Sequence, residues 1–182
     1  MPDTSIRERR LTMTVLMTPD LVNFSGNVHG GAILRLLDQV AYACASRYCG
    51  CYVVTLSVDQ VFFKQAIHVG ELVTFLAQVN HTGKSSMEIG IKVVTENTRS
   101  GECRHAMSCF FTMIAVDENR KPILAPAVVP TTDEDRRRFA AAAKRKELRM
   151  ASAAHIKQGS TVAQGSLVSD RQGDVHSVVK RA

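Results

Sequence analysis

The spacing of hydrophobic positions divides the chain into one early strand, one helix and four later strands. Residues 11–17 form a short apolar run rich in β-favouring side chains. Residues 30–47 have a helical pattern in which apolar side chains cover nearly the whole circumference, which predicts a helix buried on all sides. Four strand-like runs follow, at residues 53–64, 71–82, 85–96 and 103–117.

Short polar segments separate these elements. Cys49-Gly50-Cys51 ends the helix, and residues 81–84 and 97–101 have the composition of hairpin turns. Between those turns Met87, Ile89 and Ile91 alternate with less apolar residues, which is typical of a half-buried strand. Strands joined by such short turns are expected to be antiparallel.

The C-terminal part carries a signal for a second helix. Thr132 is followed three residues later by an acid, Asp135, which is the spacing of a capping box. A helix is therefore predicted from about residue 131 to 150. Beyond it the sequence has no period and is expected to be disordered. The predicted organisation is a flexible N-terminus (1–10), one domain (11–130), a helix (131–150) and a disordered tail (151–182).

This order of elements predicts an α+β domain in which a long antiparallel sheet wraps around one central helix, the hotdog arrangement. The length of 182 residues is enough for one such domain with a proper core. A single curved sheet leaves an edge and an open face exposed, so the chain is expected to form dimers.

Composition excludes several classes of protein. Hydrophobic residues make up 45% and charged residues 22%, as in ordinary globular proteins, and no apolar run reaches the roughly 20 residues of a membrane span. The N-terminus lacks the apolar stretch of a secretory signal, so a cytoplasmic location is expected, with the mitochondrion left open. The five cysteines include no CxxC pair, which predicts reduced thiols and no metal site.

The net charge of +6 depends partly on a basic cluster at residues 136–149. It is compatible with a nucleic-acid patch, a cradle for a phosphorylated small molecule, or a solvated helix face. Aromatic residues are only 5% of the chain and none lies within the cluster except Phe139. Nucleic acid is therefore not an expected partner.

Two features carry candidate chemistry. Glycines precede and open the predicted helix at residues 26–31, where free backbone N–H groups and the helix dipole can bind a developing negative charge. Asp38 lies in the middle of the same helix, where a carboxylate is costly unless it is paired or functional. Arg35, three residues earlier, is one partner; the other reading makes Asp38 a general base or nucleophile.

Helix geometry constrains how these two features could act together. Gly30 and Asp38 are eight positions apart, which is about 12 Å along a helix axis. One small carbonyl group cannot reach both within one chain. If both act on it, Asp38 must come from a second subunit, as a two-fold dimer would allow.

The motifs NFSGNVHGG at residues 23–31 and LDQVA at residues 37–41 resemble the acyl-CoA thioesterases of the hotdog superfamily. The resemblance is to the cytosolic long-chain acyl-CoA hydrolases and the small bacterial acyl-CoA thioesterases. It extends over about residues 11–149, through VVTLSVD (53–59), VGE (69–71), TGKSSME (82–88), SCFFT (108–112), VP (129–130) and RRRF (136–139).

This resemblance implies hydrolysis of fatty acyl-CoA to a free fatty acid and CoA by a homo-oligomer, at least a dimer and expected to be a hexamer. It implies catalytic roles for Asn27 and Asp38, with no metal and no cofactor beyond the CoA of the substrate. Tyr48 departs from the family, which commonly has histidine there, so no role is carried over to it. The remaining implied site residues are His29, Gly30 and Gly31 around the carbonyl, and Thr82, Gly83, Lys84, Ser85, Ser86, Arg137 and Lys144 for CoA.

Two other functions remain open on the same fold. One is a non-catalytic protein that binds or senses acyl-CoA, which would have no need for Asp38. The other is a hydratase, which would require an aspartate–histidine pair that is not seen at matching spacing.

Overall fold

The computed structural model describes residues 7–172, with side chains through residue 155. Five antiparallel strands form one sheet in the order β1-β3-β4-β5-β2. The α+β prediction is confirmed. The elements are β1 (Arg10–Leu16), a 3₁₀ turn (Pro19–Leu21), α1 (Gly30–Cys49), β2 (Tyr52–Val58), β3 (Glu71–Thr82), β4 (Ser86–Asn97), β5 (Cys103–Val116) and α2 (Asp133–Gln172).

Helix α1 packs against one face of the sheet and contacts all five strands. Its buried side chains, among them Leu37, Val40 and Ala41, meet the inward positions of the strands, such as Phe75 and Phe111. The opposite side of α1 is exposed in the single chain and carries Leu34, Arg35, Asp38 and Tyr42. The predicted burial on all sides is therefore wrong for one chain, because one sheet covers only one side of a helix.

The strand predictions hold closely except at β2. The predicted run at residues 53–64 ends at Val58, and Asp59 donates the last backbone hydrogen bond to Phe110 of β5 (3.0 Å). From there the chain leaves the sheet. Apolar residues such as Phe63 continue the hydrophobic pattern without continuing the strand, since they line a cleft instead.

The capping box at the start of α2 is confirmed. The Asp135 N–H donates to Thr132 Oγ1 (3.1 Å) and the Thr132 N–H donates to Asp135 Oδ2 (3.2 Å). The helix continues to Gln172, well past the predicted end at residue 150. Residues 151–172 include four alanines and three glutamines and contain no proline, so no residue there is strongly incompatible with a helix. Residues 173–182 of the predicted tail lie outside the described residues.

The N-terminal segment is tied to the rest of the domain within its described part. Arg7 donates to the backbone carbonyls of Tyr48 (3.2 Å) and Cys49 (2.7 Å), which are otherwise unsatisfied at the end of α1. Arg10 already belongs to β1. The predicted flexible stretch 1–10 therefore includes residues that hold the helix end, while residues 1–6 lie outside the described part.

Asp135 lies in the first compact unit, which ends at Phe139; the described residues from 140 onward belong to a second unit. Asp135 is only 2% exposed, contacts the Arg9 guanidinium, and accepts from Gln78 Nε2 (3.1 Å) and Thr131 Oγ1 (3.1 Å). Burial raises the pKa of this carboxyl, but hydrogen bonds from Thr132, Arg9, Gln78 and Thr131 hold it well below its usual range.

Asp135→Asn should lower the free energy of unfolding by about 3 kcal/mol, since it removes a buried carboxylate and leaves the half-buried Arg9 without its partner. The wild-type contribution is complete above the unfolded-state pKa of about 3.9 and is lost as pH falls below it, because the folded-state pKa is lower. Urea unfolding between pH 7 and pH 3 measures both effects. Asp133→Asn is the matched control, since Asp133 is 97% exposed. Equal losses in the two variants would contradict a special role for Asp135.

Candidate active site

A cleft of about 330 Å³ opens at the N-terminus of α1. One wall is the loop that enters the helix, and the other is the irregular segment that follows β2. Backbone bonding joins the two walls, because the Val28 N–H donates to the Ile67 carbonyl (2.8 Å). The lining residues are Asn23, Asn27, Val28, Gly30, Ile33, Phe63, Lys64, Gln65, Ala66 and Ile67.

The entry loop is held in shape by Asn23. Its Oδ1 accepts from the backbone N–H groups of Ser25 (2.9 Å) and Asn27 (3.2 Å), and its own N–H donates to the Asn27 carbonyl (2.7 Å). Gly26 has a φ of 78°, a left-handed conformation that favours glycine. This tight turn directs both asparagines toward the cleft.

Asn27 keeps its whole carboxamide available. Within residues 7–172 its side chain makes no hydrogen bond, and Asn23 uses only its oxygen. Both residues line the cleft. The sequence interpretation selected Asn27 and gave Asn23 no role, although Asn23 stands in the motif that carries the resemblance.

The start of α1 offers a narrower anion site than predicted. His29 is the N-cap, and its Nδ1 accepts from the Gly31 N–H (2.9 Å), so this N–H is engaged. The Gly30 N–H has no partner among the described residues and lies in the cleft. A Cβ at Gly30 would lie 3.4 Å from the Phe63 ring, which is ordinary van der Waals contact, so the two walls of the cleft are close together at this point.

Asp38 lies outside this cleft, on the exposed side of α1. Its Oδ1 accepts from Thr55 Oγ1 of β2 (2.7 Å). In the part of the chain that the structure describes, no ion pair joins Asp38 to Arg35, so the alternative drawn from the sequence is not what the fold forms. Two turns of helix separate Asp38 from Gly30, about 12 Å along the axis.

Thr55 is the site residue that sequence reasoning missed. It stands in the VVTLSVD motif, and the register of β2 with β5 shifts between Thr55 and Ser57. A bulge of this kind redirects the side chains of a strand. A hydroxyl in a mostly apolar run was the available signal, but only the fold shows that it meets Asp38.

The β3–β4 turn that the resemblance assigns to CoA is anchored through its backbone. The Gly83 N–H donates to the Ser86 carbonyl (2.7 Å), and the Lys84 carbonyl accepts from the Ala125 N–H (2.9 Å). Thr82 Oγ1 accepts from the Val128 N–H (2.9 Å). The Thr82 oxygen is thus occupied, while the Lys84 side chain is exposed.

Arg137 and Lys144 both have acidic neighbours on α2. Arg137 binds Glu134 through Nε (2.9 Å) and Nη2 (2.6 Å), and the pKa of Glu134 falls to about 2 because Arg137 and Arg138 donate to it. Lys144 pairs with Glu147 (3.0 Å) in the second unit. These exposed pairs are easily exchanged for another anion, because surface ion pairs are weak.

Tyr48, the departure from the family pattern, has a structural position. It is buried, and its hydroxyl donates to the carbonyls of Ala127 (3.0 Å) and Pro126 (3.3 Å). Burial raises the pKa of this phenol. Arg47 beside it donates to the Arg10 carbonyl. Tyr48 thus binds residues 126–127, which belong to the segment that contacts the β3–β4 turn.

Two negative findings apply to the described residues. Within residues 7–172, no helix is long and apolar enough to cross a membrane. In the same range, no three His, Cys, Asp or Glu side chains are grouped so that they could hold a metal ion.

Comparison with known proteins now identifies the family. The sequence pattern of the thioesterase superfamily matches residues 25–102. Protein VdlD of Helicobacter pylori is 50% identical over 147 residues, which cover 81% of this chain and 83% of VdlD. The uncharacterized acyl-CoA thioester hydrolase YkhA of Bacillus subtilis is 34% identical, over 71% of this chain and 75% of YkhA. The chain belongs to the hotdog-fold acyl-CoA thioesterases.

Solved structures agree with this membership. A hexameric acyl-CoA thioesterase, crystallised in its apo form, is 38% identical with a TM-score of 0.77, over 80% of this chain and 93% of that one. The acyl-CoA hydrolase of Staphylococcus aureus, solved with butyryl-CoA and CoA, is 26% identical with a TM-score of 0.78, over 85% and 94%. It was also solved as single alanine variants of an aspartate, an asparagine and a threonine. The predictions of this family and of an enzyme are confirmed.

Proposed function

We propose that this enzyme hydrolyses fatty acyl-CoA to a free fatty acid and CoA. The observation that carries the proposal is the division of the site along α1. The Gly30 N–H and two asparagines face a cleft at the helix start, and Asp38 stands with Thr55 on the exposed side of the same helix. Such groups supply an oxyanion donor, a polar orienter and a carboxylate base, which suffice for thioester hydrolysis.

The chemistry follows from these groups. The thioester carbonyl oxygen accepts from the Gly30 N–H, which stabilises the negative charge that develops there. Asp38 takes a proton from a water molecule, and the oxygen of that water bonds to the carbonyl carbon. The C–S bond then breaks, the CoA sulfur receives a proton, and the acid is released. Asn27 orients the water or the carbonyl. A direct attack by Asp38 to give a mixed anhydride is the nucleophilic variant of this scheme.

A two-fold dimer brings the separated groups together. In the single chain, large apolar side chains are exposed along α1 and β2: Leu34, Tyr42, Tyr52, Leu56 and Val58. Tyr42 and Tyr52 pack edge to face (5.9 Å between ring centres), which joins the two elements into one surface. β2 is also an edge strand of the sheet. We propose that this surface pairs with its copy, and that dimers assemble into a hexamer like that of the 38% identical relative.

The number of residues between the replaced positions of a relative points to a second candidate for the asparagine. In the Staphylococcus aureus variants, the replaced asparagine, aspartate and threonine are spaced as Asn23, Asp38 and Thr55 are here. This agreement supports Asp38 and Thr55 and makes Asn23 a second candidate beside Asn27. The free carboxamide of Asn27 favours Asn27, and the interval favours Asn23.

For the rest of the substrate, apolar and basic groups have separate roles in the proposal. Ile33 and Phe63 give the cleft an apolar side for the acyl chain. The β3–β4 turn binds the CoA phosphates. The resemblance also implies CoA roles for the exposed Arg137 and Lys144, which steady-state kinetics can test. No separate cofactor takes part in the proposed reaction, since CoA is the carrier in the substrate and is released as a product. The proposed compartment is the cytoplasm.

Asp38→Asn should lower kcat by about 10²- to 10⁴-fold, because it removes the base and keeps the shape. Thiol release from acyl-CoAs of graded chain length, followed with a thiol-reactive dye, measures this loss and also the chain-length preference. Arg35→Gln is the control from the same exposed face and should retain activity. Near-normal turnover of Asp38→Asn would show that another group is the base, whereas no thiol release by the wild type would favour a protein that only binds acyl-CoA.

Thr55→Val should reduce kcat by about tenfold, since it removes one hydrogen bond to Asp38 while conserving the side-chain volume. Thr55→Ser keeps the hydroxyl and should remain close to wild type. The same thiol-release assay compares the two variants. If both lose activity equally, packing of β2 and not the hydroxyl is what matters.

Mixing two inactive variants tests whether the site is shared. If each site takes an asparagine from one chain and Asp38 from the other, a dimer of Asn27→Ala and Asp38→Ala subunits has one intact site. Random pairing makes half of the dimers mixed, so about a quarter of wild-type activity should return after co-expression. The parallel mixture with Asn23→Ala decides which asparagine acts. Mixed dimers that form and stay inactive would place the site within one chain.

Neutralising the basic positions tests the CoA contact. Arg137→Gln with Lys144→Gln should raise KM for acyl-CoA much more than KM for a short thioester without the nucleotide. Steady-state kinetics on both substrates measure the difference. Equal effects on the two substrates would indicate that the basic cluster is only a solvated helix face and does not bind CoA.

A further inference from the structure

The junction between α1 and β2 holds two cysteines in direct contact. Cys49 is the last residue of α1, and the Cys51 thiol donates to Cys49 Sγ at 2.7 Å. Non-bonded heavy atoms pack at about 3.5–4.0 Å, and a disulfide bond is about 2.05 Å long. The two cysteines are not joined by a disulfide bond. Their sulfur atoms are therefore already closer than ordinary packing brings them.

The backbone between the two cysteines is held in a tight reversal. Gly50 adopts a left-handed conformation (φ 68°), and its N–H donates to the Ser46 carbonyl (2.8 Å). Ser46 Oγ donates to the Cys51 carbonyl (3.0 Å). The chain thus reverses at one glycine and returns the Cys51 side chain over that of Cys49.

We propose that Cys49 and Cys51 are a redox site that closes reversibly to an intramolecular disulfide when it meets a small-molecule disulfide such as oxidised glutathione. The inference is independent of the thioesterase chemistry. It concerns a CxC pair that the proposed hydrolysis does not use.

The reaction proceeds through two exchanges. The Cys51 thiolate attacks one sulfur of the oxidant, whose S–S bond breaks and releases one thiol. The Cys49 sulfur then attacks Cys51 Sγ, expels the second thiol and completes the bond. The pair loses two electrons and two protons, and the oxidant gains them to become two thiols.

The order of attack follows from exposure. Cys51 is half-buried, whereas Cys49 is buried, and burial together with the Cys51 contact raises the pKa of Cys49 to about 12. Cys51 therefore meets the oxidant first, and Cys49 acts as the resolving thiol. Cys44 and Cys109 are also buried with pKa values raised to about 12, and Cys103 is exposed without a thiol partner.

Trypsin provides a direct readout. Cleavage after Arg47 and Lys64 places Cys49 and Cys51 in one peptide, residues 48–64, while Cys44, Cys103 and Cys109 fall in three others. The intact protein is equilibrated with mixtures of reduced and oxidised glutathione, quenched with acid, alkylated and digested. Mass spectrometry then reports each cysteine as alkylated, bound to glutathione, or lost to a disulfide.

We expect peptide 48–64 to change from doubly alkylated to unalkylated and lighter by two hydrogen atoms, and to recover both alkyl groups after dithiothreitol. The peptides of Cys44 and Cys109 should stay alkylated. Cys103 should stop at a glutathione adduct, because it has no resolving thiol. Persistence of the doubly alkylated peptide in mixtures that modify Cys103, or a stable glutathione adduct on peptide 48–64, would overturn the proposal.

Single variants separate the two thiols. In Cys49→Ser, Cys51 should accumulate as the glutathione adduct, because the resolving step is lost. In Cys51→Ser, Cys49 should remain alkylated, because it is buried. Equal adduct formation in both variants would show two independent thiols in place of a pair.

Discussion

The arrangement of the site depends on one constraint, which is that a single sheet covers only one side of α1. The covered side supplies the core, with Leu37, Val40 and Ala41 against the sheet. The side chains on the uncovered side of α1 are exposed in the single chain, and they include Asp38, Tyr42 and Leu34. Exposed apolar surface of this kind is typical of an interaction site. The same constraint therefore exposes the carboxylate and creates the surface on which a second subunit would bring it to a cleft.

The two ends of α1 are stabilised in different ways, and each end has chemical consequences. At the start, His29 engages the Gly31 N–H and leaves that of Gly30 open to the cleft. At the end, Arg7 binds the Tyr48 and Cys49 carbonyls, and Gly50 turns the chain so that two thiols meet. Unsatisfied backbone groups at helix termini need partners, and here those partners determine which groups remain reactive.

The fold could be predicted well from local pattern. Strand β3 has the predicted limits, residues 71–82, and the Thr132–Asp135 capping box forms both of its hydrogen bonds. Prediction failed where the same hydrophobic pattern serves two purposes. The run after Val58 stays apolar because it lines a cleft, and the exposed side of α1 is apolar without being covered in one chain. A hydrophobic pattern predicts that a side chain is kept from water, but it does not predict whether a strand, a ligand or a second subunit covers that side chain.

The sequence alone determined the order of elements, the antiparallel sheet, and the presence of Asn27, Gly30 and Asp38 in motifs of the acyl-CoA thioesterases. Only the tertiary structure decided that Asp38 accepts from Thr55 and not from Arg35. Likewise, only the fold shows that His29 occupies the Gly31 N–H. The reason is physical: periodicity and capping act over a few residues, whereas a hydrogen bond between a helix and a strand exists only after the sheet has placed them side by side.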